Sequence, residues 1–296
     1  MSRSRSSIFL FAPFLLSVLA AAPAHAVEIS VGPFVVIDPD GRCSLLEALE
    51  NAEQDDEIYP DCPAGARLDR LVLTADHEYV LEGPWPGTSS GTPILTGDLE
   101  IVGNGAVIHR FNSGAEYRLF EIRGGSVKLD GLTLSGGLSF GSMTGGAAVL
   151  VDSADLTIRN STLVDNTAVG PAVFGGAIRM DASTVLIEDS VIEGNTAFTE
   201  NPETGGGGIA QFDGQLTIRR SALLDNWADL NCNESSPDSA ASTGGALRVE
   251  AIGPGGAQTF IEDSTLSRNI GRLGVRFMSW PTPTPGSRGF RTCWFR

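Results

Sequence analysis

The chain of 296 residues is poor in the side chains that most often bind metals and move protons. It has three histidines, four cysteines and a single lysine, Lys128. His25 belongs to a leader described below, and His77 and His109 stand at no ligand spacing from a cysteine, which argues against a zinc site. Basic charge is scarce too. Between Val27 and Ile270 there are 36 acidic residues against 13 basic ones. That surplus makes nucleic acid an unsuitable partner and would repel an anionic polysaccharide unless cations bridged the two. Calcium is the cation such a surface would suit, but no clear motif supports it. Asp38-Pro39-Asp40-Gly41 lacks the further oxygen ligands of a calcium loop and reads as a turn, and Asp55-Asp56-Glu57 reads as a solvated loop. No cofactor is expected. After residue 26 no apolar run approaches the ~20 residues needed to cross a bilayer as a helix.

What is present begins with compartment. Residues 1–26 carry Arg3 and Arg5, an apolar run from Ile8 to Ala22, and then Ala24-His25-Ala26, the layout of a secretory signal peptide cut after Ala26. No cysteine follows the cut, which argues against a lipoprotein. The expectation is an exported protein, extracellular, periplasmic or associated with the cell surface or outer membrane, with no membrane-spanning segment once the leader is removed. Residues 27–270 are enough for one elongated domain.

A thirteen-residue cassette then recurs: LTIRNSTLVDNTA at 156–168, VLIEDSVIEGNTA at 185–197, LTIRRSALLDNWA at 216–228 and, more loosely, TFIEDSTLSRNIG at 259–271. Its first apolar slot holds Leu129, Ile158, Ile187, Ile218 and Ile261, and its second holds Leu134, Leu163, Ile192, Leu223 and Leu266. The separations are 29, 29, 31 and 43 residues in both series, so the cassette is fixed and the segments between vary. Extending the register backwards at 28 residues reaches Ile101 and Leu73. Apolar and polar residues alternate within each cassette and β-branched types dominate, as in short strands. Glycine pairs recur between cassettes, in GGAAVLV at 145–151, GGAIRM at 175–180, GGIAQF at 207–212 and GGALRV at 244–249. About three strands per thirty residues, with glycine-marked bends, predict an all-β parallel β-helix of about six or seven coils, roughly 30 Å tall at ~4.8 Å per coil.

Two columns follow from the alignment. Asp130, Arg159, Glu188, Arg219 and Glu262 alternate in sign from coil to coil. A catalytic or calcium-binding stripe is one reading, and an exposed ion-pair ladder that favours correct register is the simpler one. Asn166, Asn195, Asn226 and Asn269 each lie three residues past the second slot, where stacked amides can bond along the column and satisfy backbone groups at a bend.

The segment from Cys43 to Ala52 has helical periodicity instead. Ser44 with Glu47 three residues on makes a capping box, and Leu45, Leu46, Leu49 and Ala52 form an apolar stripe. A helix here is suited to cover the open end of the solenoid, over a cap spanning about 43–62.

The stretch CSLLEALENAEQDDEIYPDCPAG resembles the CSLREA-type motif of bacterial secreted β-helix proteins, with Leu46 and Leu49 in place of arginine and isoleucine. GDLEIVGNGAVIHR at 97–110 and YRLFEIRGGSVKLDGLTLSGG at 117–137 extend the likeness, which covers roughly residues 35–270. The resemblance implies a right-handed parallel β-helix on an exported or surface protein, in the style of polymorphic outer-membrane proteins and autotransporter passengers. It implies no enzyme, since most members have no assigned activity. Cys43 and Cys62 stand 19 residues apart around the helix, and export permits a disulfide, so they are expected to pair. Cys232, in the insertion DLNCNESSPDSAAST, and Cys293 remain open as to pairing.

The remaining readings concern function. An adhesin-like or binding scaffold, taking a carbohydrate or protein ligand outside the cell, is the leading expectation. A polysaccharide lyase is the alternative, assembled from Arg179, Arg219 and Arg220 among Asp165, Asp181 and Asp225. Trp85 could stack on a sugar ring, though packing in a turn explains it as well. Because stacking accounts for the cassette residues, ligand contacts are expected from the variable segments 138–144, 198–204 and 229–243. The tail 271–296 has five arginines, no acidic residue and no cassette, as expected of a reading frame shifted near residue 270 or of a disordered basic extension.

Overall fold

A computed structural model describes residues 27–112, 114–199, 205–230 and 244–271. The leader 1–26, the insertion with Cys232 and the tail with Cys293 lie outside the described residues.

Alternation of apolar and polar residues decides which way each strand faces, and the stack follows from it. The first wall contains eight strands: Val27–Ser30, Leu68–Val72, Asp98–Val102, Ser126–Asp130, Asp155–Arg159, Thr184–Glu188, Gly214–Arg219 and Ala257–Glu262. The second contains seven: Glu78–Leu81, Val107–Arg110, Thr133–Ser135, Thr162–Val164, Val191–Glu193, Ala222–Leu224 and Thr265–Ser267. The third contains six: Ile94–Leu95, Phe120–Ile122, Val149–Asp152, Ile178–Asp181, Ile209–Phe212 and Leu247–Glu250. Every neighbouring pair is parallel, and the cassette slots meet in register, Ile158 with Leu129 and Ile187, Leu163 with Leu134 and Ile192. The molecule is a parallel β-solenoid. The third wall's six strands span about five turns, slightly fewer than the six or seven coils expected, and among the described residues the first and second walls alone continue into the last cassette.

One slot needs correction. The residue beneath Ile101 is Leu71, not Leu73, because that coil takes 30 residues rather than 28. Leu73 is buried just past the strand, its N–H donating to Val102 O at 2.9 Å. Below Leu71 the column ends on Ile29.

The main core runs the length of the stack, from Ile29 through Leu71, Ile101, Leu129, Ile158 and Ile187 to Ile218, all fully buried. At its first end lies the helix Leu45–Gln54, whose Leu45, Ala48, Leu49 and Ala52 are buried against it.

A fourth sheet departs from the expected three-walled coil. Leu138–Gly145, Thr167–Phe174, Thr196–Thr199 and Trp227–Leu230 pair in parallel as a lateral sheet between the second and third walls. Segment 138–144, read from sequence as a variable segment between cassettes, lies in a paired strand. It bends around Gly141, so that Ser139 Oγ and Thr144 Oγ1 come within 2.6 Å. The stacked Gly170 has to be glycine, since a Cβ there would sit 1.9 Å from Gly141 O. Residues 200–204 and 231–243 lie outside the described residues.

Candidate functional site

The asparagine column lies at the bend leaving the second wall, with Asn166, Asn195 and Asn226 fully buried. The Oδ1 atoms of Asn195, Asn226 and Asn269 each accept twice from the asparagine one coil below. Asn166 N and Nδ2 donate to Asn195 Oδ1 at 3.0 and 2.9 Å, Asn195 to Asn226 at 3.1 and 2.9 Å, and Asn226 to Asn269 at 3.0 and 2.9 Å. Each Nδ2 also reaches a second-slot carbonyl, as Asn195 does to Leu163 O at 2.9 Å. The column ends where Gly137 N donates to Asn166 Oδ1 at 2.9 Å.

A serine column runs beside it and escaped the sequence reading. Ser161, Ser190, Ser221 and Ser264 occupy the bend between the first and second walls. Ser161 N, Ser190 N and Ser221 N donate to the next serine's Oγ at 3.2, 3.1 and 3.1 Å. Each hydroxyl donates to the carbonyl two residues back, as Ser190 does to Glu188 O at 2.7 Å. The signal was available: serine fills the sixth position of all four cassettes, five residues before the asparagine.

The alternating charges lie on the outer face of the first wall. Glu188 is the centre, with Arg159 Nη2 at 2.6 Å, Arg220 Nη2 at 2.7 Å and Arg219 Nη1 at 3.6 Å. Arg219 Nε also meets Glu262 at 3.0 Å. Asp130 accepts from Asn160 Nδ2 at 2.8 Å and meets Lys128 at 3.7 Å, rather than pairing with Arg159 as its place in the column suggested. From there the alternation shifts one column sideways, through Lys128, Glu100, Arg70 and Glu28. Arg220 forms a two-pronged pair with Asp189 at 2.8 and 2.7 Å that holds the Asp189 carboxyl below the usual carboxylate range, and its bond to Glu188, with Arg159, does the same there.

These pairings bear on the lyase constellation. Arg179 lies on the third wall, paired with Asp181 at 2.9 Å and set over the Phe174 and Phe212 rings. Arg219 belongs to the first wall, and Arg220 to the bend after it. The Arg220 guanidinium is pushed above its ordinary value by its bonds to Asp189 and Glu188, the wrong direction for a group that must accept a proton. Asp225 pairs with Arg268 at 2.6 Å. Asp165 sits in a left-handed turn, φ 55°.

At the base of the lateral sheet, Arg118 and Glu121 form a buried pair at 2.5 Å, joined by Arg123 at 2.5 Å from the other Glu121 oxygen. Burial pulls the Arg118 guanidinium below its ordinary value, and Glu121 opposes the shift. Among the described residues no three His, Cys, Asp or Glu side chains group as a metal site, and no helix is long and apolar enough to cross a membrane.

At the capped end Ser44 N donates to Glu47 Oε2 at 2.9 Å and Glu47 N to Ser44 Oγ at 3.4 Å, completing the capping box. Cys43 and Cys62 are joined by a disulfide. Asn51, within the helix, gathers the following loop by donating to Tyr59 O, Cys62 O and Pro63 O. Asp55 closes the helix in a left-handed conformation, and Asp40 receives Arg42 in its turn. Half-buried Trp85 lies in a turn, its backbone N–H donating to Ser90 O at 2.6 Å. No family model matches the chain, and no curated protein or solved structure matches it either.

Proposed function

We propose that the chain is an exported, extracellular or cell-surface scaffold that binds a carbohydrate or protein ligand without catalysis. The observation that carries the reading is the fate of the ionisable groups. Of the arginines a lyase would need, Arg179 stands on the third wall apart from Arg219 and Arg220 at the first, and all three are engaged by carboxylates, which suits support of a stack better than turnover. The CSLREA-type motif and the leader support export, and the Cys43–Cys62 disulfide agrees with an oxidising compartment. The lateral sheet, built from segments of varying length, is where the exposed surface differs from coil to coil.

Incubation of the purified protein with a panel of neutral and acidic polysaccharides tests the proposal. Saturable binding without new reducing ends or unsaturated products is expected. Product formation above a heat-inactivated control would overturn it in favour of the lyase.

A further inference from the structure

The strands Leu138–Gly145, Thr167–Phe174 and Thr196–Thr199 contain no Asp, Glu, Lys or Arg, on a chain with 36 acidic residues. Alternation splits them into two faces. Ser139, Ala168 and Ala197 are buried, while Phe140, Val169 and Phe198 stack in register on the other side. Beside that column runs a second, of Leu138, Thr167, Thr196 and Trp227. Phe140 is 59% exposed and Trp227 46%. Exposed Phe140 and Trp227 with half-buried Phe198 between them set aromatic rings along an uncharged strip, the surface a ring-stacking occupant needs.

Size and charge decide which. Three uncharged strands at ~4.8 Å by about four residues at ~3.3 Å give a strip of roughly 190 Å², and the fourth strand adds Trp227 beside it and ends the uncharged column at Asp229, in register with Phe198. A stable protein interface needs ~800 Å² from each partner, so a folded protein or a second copy is too large a claim on this strip. A polyanion would find no Lys or Arg within these strands, on a chain whose overall charge is strongly acidic. An extended sugar chain with equatorial substituents meets the requirements: its rings present flat C–H faces to aromatic side chains, and its hydroxyls fall at the rim, where Thr167 and Thr196 stand. Phe140 and Phe198 lie two strands apart, ~9.6 Å along the stack, so they can serve alternate rings of one chain.

We infer that the outward face of the lateral sheet is a platform for an uncharged β-linked polysaccharide lying along the solenoid axis. The inference rests on the reading of the protein as a binding scaffold and names the ligand class for it. Titration calorimetry of the full chain with cellohexaose, laminarihexaose and xylohexaose, with polygalacturonate as the charged control, tests it. At least one neutral hexasaccharide should bind saturably and change Trp227 fluorescence. Phe140→Ala and Phe198→Ala should each weaken that binding roughly five-fold, with unchanged circular dichroism. Phe260→Ala, on the first wall, should leave it unaltered. No binding to any neutral hexasaccharide, binding that both lateral variants leave intact, or binding of polygalacturonate alone would each overturn the platform. A concentration-dependent dimer abolished by Phe140→Ala would overturn it in favour of self-association. Release of products would instead sink the non-catalytic reading while leaving the platform standing.

Discussion

Replacing Asn195 by leucine isolates what the asparagine column contributes. The two side chains have similar volume, so the change acts on hydrogen bonds rather than by opening a void. Asn195 Oδ1 accepts from Asn166 N and Nδ2, and its Nδ2 serves Leu163 O, Glu193 O and Asn226 Oδ1. Some of these groups retain partners. Asn226 Oδ1 keeps the Asn195 backbone N–H, and Asn166 Nδ2 keeps Leu134 O and Val164 O. Glu193 O keeps the Asp165 N–H, whereas the buried Asn166 N–H loses its acceptor and Leu163 O loses its side-chain donor. At about 1–3 kcal/mol for each buried group left unsatisfied, with the carbonyl the cheaper of the two, the loss is about 2–4 kcal/mol. For a domain of this size that lowers the melting temperature by roughly 5–12 °C. Amide hydrogen exchange gives the sharper readout, because the Asn166 amide should lose protection more than amides several coils away. Asn269→Leu, in the half-buried last coil, should cost less because water reaches the freed groups there. An unchanged melt together with a still-protected Asn166 amide would refute the reasoning.

Three further outcomes follow from the cap and the bends. Cys43→Ser should loosen the capped end by about 3 kcal/mol, the loop-entropy value for a bridge of this span, and limited proteolysis should then cut between residues 43 and 62 before any other described segment. Asp69 is pushed up to about 6, first by burial and further by Asp55, against two bonds from Ala66 N–H. Since the folded value lies above the ordinary 3.8, its proton stabilises the fold fully below that pH, and the benefit is lost as pH rises through 6. Asp69→Asn should therefore raise the melting temperature more at pH 7.5 than at pH 4, and an equal shift at both would exclude the assignment. Ser190→Ala removes the acceptor of Ser161 N and the donor to Glu188 O, and should cost about 1–2 kcal/mol by chemical denaturation.

Most of the architecture was legible because a solenoid repeats its instructions. Five aligned slots with a constant five-residue offset are enough to place two strands per coil, and the glycine pairs mark the third. Where one coil deviates, the period misleads, as at Leu73, since nothing local distinguishes a 28-residue coil from a 30-residue one. The lateral sheet was hidden for a different reason. TAVGPAVF contains glycine and proline, which locally signal a loop, yet the chain pairs there because LSFGSMTG and TAFT lie in register one coil away. Its pairing is a property of neighbours 29 residues apart, not of the segment itself. The serine column was missed because a serine beside Asn160 or Asp189 reads as an exposed turn, whereas its hydroxyl in fact closes a buried bend. The charge column was legible in sign but not in pairing: Arg220, one residue outside it, takes the better geometry with Glu188 than Arg219 does.

The charge alternation makes a claim about whole coils that can be separated from the core. Deleting residues 160–188 removes one 29-residue coil and joins Arg159 to Asp189, so Leu156 and Ile158 would stack on Leu216 and Ile218 with the apolar register intact. The outer face does not survive so well, because Arg159 would then lie directly against Arg219. Deleting residues 160–219 removes two coils and places Arg159 against Glu262, restoring alternation while shortening the stack further. Core stacking alone predicts that the one-coil deletion is the more stable, since it keeps more nearest-neighbour interfaces. The charge ladder adds a prediction of sign. Salt screens attraction and repulsion alike, so raising it to ~1 M should stabilise the one-coil deletion relative to its own low-salt melt and destabilise the two-coil deletion and the intact chain. Like charges held one strand apart are unfavourable by a fraction of a kcal/mol to ~1 kcal/mol, small against the core but opposite in direction to every other surface pair in the column. If both deletions respond to salt as the intact chain does, the alternation is incidental, and register is set by the apolar slots and the asparagine and serine bonds alone.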